Sequence, residues 1–183
     1  TAQPTDNVQA AGAVKSGGQT VNSLRNAGGI AFNSATDPLV VASGMITCGS
    51  EGGKYIGSST VRGRLTSGMG ELVITKVNEG SGGAAGEGYA IWSVIVDNGG
   101  TRVKLILNGY QRDNLDNQLI KLKANNTHTG GTVISGGNRH YLSASGSGWT
   151  TVPAANDPTQ GLIVNNSPVI MQNFAQQIHQ SNI

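Results

Sequence analysis

The chain is 183 residues long, with 28 glycines, 37% hydrophobic residues and only 12% charged ones. A formal net charge of +2 gives no electrostatic footprint for nucleic acid, and a single cysteine excludes an internal disulfide and a cysteine-based zinc site. No apolar run reaches the length of a bilayer-spanning helix, so membrane insertion is not expected.

Glycine runs at roughly twice its average share of about 7%, without a collagen-like period, among short β-branched runs. That density supplies the tight-turn and left-handed conformations that join many short strands. Residues 1–36 form a low-complexity segment of Ala, Ser, Thr, Asn and Gly. Its apolar residues Val8, Val14, Val21, Leu24, Ile30 and Phe32 are too sparse for a core of their own. The composition predicts a Gly-rich N-terminal arm laid across another surface, or else a flexible linker. Residues 37–183 are then one β-rich domain, long enough to bury a substantial core.

From Leu39 onward, strands recur at short spacing. Leu39–Cys48 opens on Leu39, Val40 and Val41, and Val61–Leu65 alternates apolar and basic positions as a half-exposed strand does. Glu71–Val77 is followed by a long glycine loop, Gly80–Gly88. Tyr89–Val96 is apolar on both faces, which predicts a central, covered strand. Asp97-Asn98-Gly99-Gly100 then offers positive-φ positions before Arg102–Leu107, the strongest hairpin signal in the chain. In 113–123, Leu115, Leu119 and Leu122 have helical spacing, but Ile120–Lys123 alternates; the reading is a turn and then a strand. Thr132–Ser135, Arg139–Ala144 and Leu162–Val164 are weaker strands between Gly and Asp-Pro breakers. No repeat of 20–50 residues is evident, which argues against solenoids and propellers.

The period changes at the C-terminus. Ser167 can cap a helix with Pro168 at its first position, and Ile170, Met171, Phe174 and Ile178 then form one apolar face. A short amphipathic helix over about 168–180 is predicted. With the strands above, the expected fold is mainly β: an antiparallel β-sandwich or barrel-like core, the arm in front and the helix behind.

Residues able to carry chemistry are few. Gly49–Tyr55 lacks the spacing and the Ser or Thr of a phosphate loop, and no Gly-x-Ser-x-Gly elbow exists. His128, His140 and His179 have no metal-ligand spacing and read as exposed histidines without partners. Asp113 and Asp116 could pair for glycosidic chemistry but suit turn and capping bonds better. Cys48 follows Thr47 on an apolar strand and reads as a buried, inert thiol. The densest basic cluster, Arg102, Lys104, Lys121 and Lys123, alternates with apolar residues as the solvent face of paired strands does. No cofactor or metal is expected.

One stretch fits sugar recognition. Arg139 and Tyr141, with Trp149 nearby between glycine-rich turns, offer a flat aromatic beside hydrogen-bonding groups. The competing reading is that Tyr141 and Trp149 close one end of the core. In composition the whole chain resembles secreted pilus subunits and bacteriophage virion proteins, a likeness of style with no family motif behind it. The leading expectation is therefore a non-catalytic structural subunit that self-assembles with identical copies into an extracellular filament or virion component. Arm exchange or strand addition would join the copies, with Val8, Val14, Val21, Leu24, Ile170, Phe174 and Ile178 as assembly residues. The alternative is a carbohydrate-binding adhesin or fibre module that meets a host-surface glycan through Arg139, Tyr141 and Trp149. A hydrolase built from distant residues ranks last. The expected location is extracellular or on the cell surface, or else in a virion.

Overall fold

A computed structural model describes residues 2–48, 54–77, 89–109, 120–136, 140–143, 150–155, 161–167, 169–171 and 178–179. Among them every regular element is a β-strand, and every strand pairing is parallel. The first turn of the chain is β1 (Asn7–Ala13). The second holds β2 (Gln19–Val21) and β3 (Ser23–Ala31), and the third β4 (Pro38–Val41), β5 (Met45–Cys48) and β6 (Tyr55–Ile56). The fourth comprises β7 (Arg64–Ser67), β8 (Glu71–Lys76) and β9 (Tyr89–Ile91), and the fifth β10 (Val94–Ile95), β11 (Lys104–Gly109) and β12 (Ile120–Leu122). Last come β13 (Thr132–Gly136) and β14 (His140–Leu142), then β15 (Leu162–Asn165) and β16 (Val169–Met171).

Each turn lays its strands beside those of the turn before, which builds three walls. The first wall is β2-β4-β7-β10; the second is β3-β5-β8-β11-β13-β15; the third is β3-β6-β9-β12-β14-β16. The nine-residue β3 belongs to two walls because its first half pairs with β5 and its second half with β6, while β1 covers its other edge. The chain is thus a parallel β-solenoid whose second and third walls form one curled sheet.

Backbone pairing sorts the interior into columns. One runs Val8, Leu24, Ile46, Ile74, Leu107, Ile134 and Val164. A second runs Gly12, Ile30, Ile56, Ile91, Leu122, Leu142 and Met171. Ile46, Ile56, Ile74, Ile91, Leu107 and Leu122 are fully buried, each contributing about 1.5–3 kcal/mol of apolar burial. Glycine marks a corner between walls: Gly44, Gly70, Gly131 and Gly161 each stand immediately before a second-wall strand.

Several expectations need correction. The fold is not an antiparallel sandwich or barrel, because the strands pair in parallel with positions one turn away. From Leu24 to Val164 the first interior column advances by 22, 28, 33, 27 and 30 residues. This is the repeat that was missed, hidden by its unequal length. The 97–102 hairpin is a correction of the same kind. Asn98 and Thr101 do exchange backbone hydrogen bonds at 3.0 Å, yet β10 pairs with β7, and β11 with β8 and β13. Tyr89–Val96 bends at Trp92-Ser93 into β9 and β10, each on a different wall.

The N-terminal segment is not a separate arm: it supplies β1, β2 and β3, and its Val14, Val21, Leu24, Ile30 and Phe32 are buried in the chain's own core. Among the described residues there is no C-terminal helix: Val169–Met171, inside the expected helical span, is a strand, and Ile178 makes a parallel bridge with Val152. Pattern alone favoured the helix because Ile170, Met171, Phe174 and Ile178 fit a helical stripe. Phe174, like the Gly80–Gly88 loop and Asp113 and Asp116, lies outside the described residues. No described helix is long and apolar enough to cross a membrane.

Candidate functional site

The outer surface of the third wall gathers rings and cations. Next to the interior column, pairing aligns Gly29, Tyr55, Ala90, Lys121, Tyr141 and Ile170 on the outside. Strands in such a ladder lie about 4.8 Å apart, so Tyr55 and Tyr141, three strands apart, are roughly 14 Å from each other along the wall. Tyr55 is exposed, and its ring lies over Gly29, where a β-carbon would strike it. Lys121 places its ammonium 5.7 Å from the centre of the Tyr141 ring.

Two residues farther along the strands, Trp92 and Lys123 continue this face. The Trp92 N–H donates to the Ile56 carbonyl and the Lys123 N–H to the Ile91 carbonyl, which fixes their places one turn apart. The Lys123 ammonium lies 5.3 Å from the Trp92 ring centre, and the Arg62 guanidinium 5.5 Å from it. Arg62 arrives from the turn before β7 and donates to the Lys123 carbonyl at 2.7 Å. One indole therefore holds two cations, a geometry in which ring quadrupole and charge attract. Partial burial pushes the Lys123 ammonium below its usual range, with Lys121 adding to the effect, and burial lowers the Arg62 guanidinium as well.

This arrangement brings together only part of the expected site. Tyr141 is half-buried on the outer row, whereas Arg139 and Trp149 lie outside the described residues. The basic cluster divides: Lys121 and Lys123 join the aromatic face, while Arg102 and Lys104 line an open cleft of about 400 Å³ with Met69, Glu71 and Thr129. Lys104 there stands in register beside Glu71, so that cleft carries both signs of charge. Arg62, Trp92 and Tyr55 were missed. Trp92 reads as interior from its apolar neighbours, and the bend at Trp92-Ser93 turns it outward; the alternation through Arg62 and Arg64 was the available signal for a cationic surface.

Of the expected assembly residues, Val14, Val21 and Leu24 are buried, and Val8 and Ile178 are half-buried against the core. Ile170 is half-buried at the end of the outer row.

Two of the three histidines and the cysteine lie inside, while His179 is exposed. His128 and His140 are fully buried, contrary to the exposed reading, and burial pushes both imidazoles down to about 4. Cys48 is fully buried, as its strand context implied, and burial pushes its thiol up to about 12. It sits in an interior polar group with Asn26, Lys76 and Tyr89, where the Asn26 amide donates to the Tyr89 hydroxyl and to the Tyr55 carbonyl. The thiol is thus enclosed away from solvent. Among the described residues, no group of three His, Cys, Asp or Glu side chains is placed to hold a metal ion. Comparison of the chain with protein-family models, curated proteins and solved structures finds no match.

Proposed function

We propose that this chain is a non-catalytic structural module, displayed on a cell surface or a virion, that binds glycan chains along the outer face of its third wall. A solenoid suits that task because it repeats one surface from turn to turn along its axis. The observation that carries the reading is the Trp92 ring with Arg62 and Lys123 set against it, continued by Lys121 and Tyr141 on neighbouring strands. Flat rings meet the apolar faces of sugars, and cations favour sugars carrying carboxylate or sulfate. The interior placement of His128, His140 and Cys48 favours binding over turnover.

A glycan array probed with the purified chain tests this. Binding is expected to acidic oligosaccharides above neutral ones and to weaken with added salt, as exposed charges are screened. Trp92→Ala or Tyr141→Ala should weaken it about tenfold or more, equivalent to about 1.4 kcal/mol, with the circular dichroism spectrum unchanged. Absence of glycan binding by the wild-type chain, or equal binding by both variants, overturns the reading.

A further inference from the structure

We propose that copies of this chain stack end to end, the last turn of one copy seating against β1 of the next so that the walls continue from molecule to molecule. This goes beyond glycan binding and does not rest on it.

The starting point is a break in two interior columns. In the first, Leu24, Ile46, Ile74, Leu107 and Ile134 are between 0% and 3% exposed, yet Val164 in the same column is 45% exposed. In the second, Ile30, Ile56, Ile91, Leu122 and Leu142 are at most 5% exposed, yet Met171 is 56% exposed. These two side chains occupy core positions by register, and the last turn leaves them open. Among the described residues, no strand pairs with the outer edges of β15 and β16.

The opposite end has the complementary shape. A groove of about 220 Å³ opens beside β1, lined by Val8, Ala11, Gly12, Val14, Leu24 and Ile30. Gly12 heads the column that Met171 ends, and a β-carbon placed there would meet nothing within 4 Å. One column thus ends in a protruding methionine and begins in a vacant place. The outer edge of β1 likewise has no paired strand among the described residues.

The occupant that fits both ends is a second copy. Advancing one molecule along the solenoid axis puts Val8 beside Val164, Gln9 beside Asn165 and Gly12 beside Met171, in the register already used inside the molecule. Strand direction is preserved, so the junction is parallel like every other pairing of the walls. A neighbour turned end for end would present antiparallel edges and mismatch the columns. Because the two ends differ, the contact is heterologous and does not close, and it propagates into a filament. Unpaired strand edges are the usual template for such addition.

Sedimentation velocity over a range of concentrations, with electron microscopy of the same samples, tests the proposal. The wild-type chain is expected to give a series of species of constant width and increasing length. Val164→Lys, Met171→Lys and Val8→Lys should each abolish every species above the monomer, with the circular dichroism spectrum unchanged and, for Val164→Lys and Met171→Lys, a thermal midpoint near wild type when measured dilute. Since a lysine could disturb an end turn, a second arm uses cysteine. A chain carrying both Val8→Cys and Val164→Cys should form a disulfide-linked ladder on non-reducing gels, and Cys48, being buried, is not expected to add to it. The single variants should run as monomers on those gels. A wild-type chain that stays monomeric throughout, a double variant that forms no ladder, or dimers from Val164→Cys alone (a tail-to-tail contact) each overturn the proposal.

Discussion

The side-chain Oδ1 of Asn126 accepts the backbone N–H of Ile95 at 2.9 Å, while its Nδ2 donates to the Thr151 carbonyl at 2.7 Å. One buried amide therefore joins two stretches of chain 56 residues apart in sequence, where the first wall has no described strand beyond β10. Its own N–H donates to the Thr150 carbonyl at 3.0 Å, so the residue does in side chain and backbone together what a β-ladder does elsewhere. Asn126→Ala removes both side-chain bonds and leaves a buried donor and acceptor unsatisfied, at about 1–3 kcal/mol for each. A loss of roughly 2–5 kcal/mol in urea unfolding is expected. An alanine variant as stable as wild type would show that this amide does not hold the wall.

Stability should fall as the solution is acidified from neutrality. Burial holds His128 and His140 near 4 in the folded chain, against an ordinary value of 6.5; at His128 the nearby Asp97 carboxylate opposes burial without cancelling it. Between those values the unfolded chain binds a proton on each imidazole and the folded chain does not. Stability is therefore complete above about 6.5 and lost progressively down to about 4, at roughly 1.4 kcal/mol per pH unit for each ring. Asp97 adds to the loss at lower pH. Burial raises its carboxyl, but hydrogen bonds from the Thr129 hydroxyl and the Val103 and Thr129 amides bring it below the usual carboxylate range. Urea unfolding at pH 7 and 4.5 checks the histidine part, and His140→Leu should reduce the slope. A flat profile between those values would rule it out.

The β class and much of the turn chemistry were legible, and the connectivity was not. Asn98-Gly99 makes the tight turn its residues imply, with Gly99 at φ 59°, but a turn does not specify which strands its flanks will join. Strands of two to six residues alternate in the same way whether their partners run parallel or antiparallel. The parallel partner lies one turn away, and β5 and β6, β8 and β9, β11 and β12, and β13 and β14 are separated by 6, 12, 10 and 3 residues, so no fixed period survives in the sequence. Small residues at the N-terminus hid β1 to β3, because a wall needs only one apolar residue in two and glycine can hold a core column at its end. On the outer face of the third wall, Lys121 was legible as the solvent side of an alternating strand and Tyr141 as a candidate sugar contact. Arg62 and Trp92 meet only through a register that no local pattern contains.

Gly44 and Gly99 separate backbone strain from crowding. Both have positive φ, 71° and 59°. A β-carbon on Gly44 would lie 2.0 Å from the Glu71 carbonyl oxygen of the next turn, whereas one on Gly99 would meet nothing within 4 Å. Gly99→Ala should thus cost only the left-handed penalty of about 1–2 kcal/mol. Gly44→Ala adds a displacement of neighbouring backbone and is expected to cost about 2–5 kcal/mol in all. Thermal unfolding of the two variants side by side reads the difference. Equal losses would mean that the corner before β5 yields freely.

Ile74 and Val164 occupy the same interior column but opposite situations, since Ile74 is fully buried and Val164 is 45% exposed. Ile74→Ala leaves a cavity walled by Ile46 and Leu107 from the adjacent turns, at about 2–5 kcal/mol. Val164→Ala removes atoms that already meet solvent in the isolated chain, and should change stability by no more than about 0.5 kcal/mol when measured dilute. The same variant measured at high concentration, where the ends are covered by neighbouring copies, should lose more than it does dilute, because mass action links assembly to folding. Denaturation midpoints of wild type and Val164→Ala that do not move with concentration would contradict that linkage.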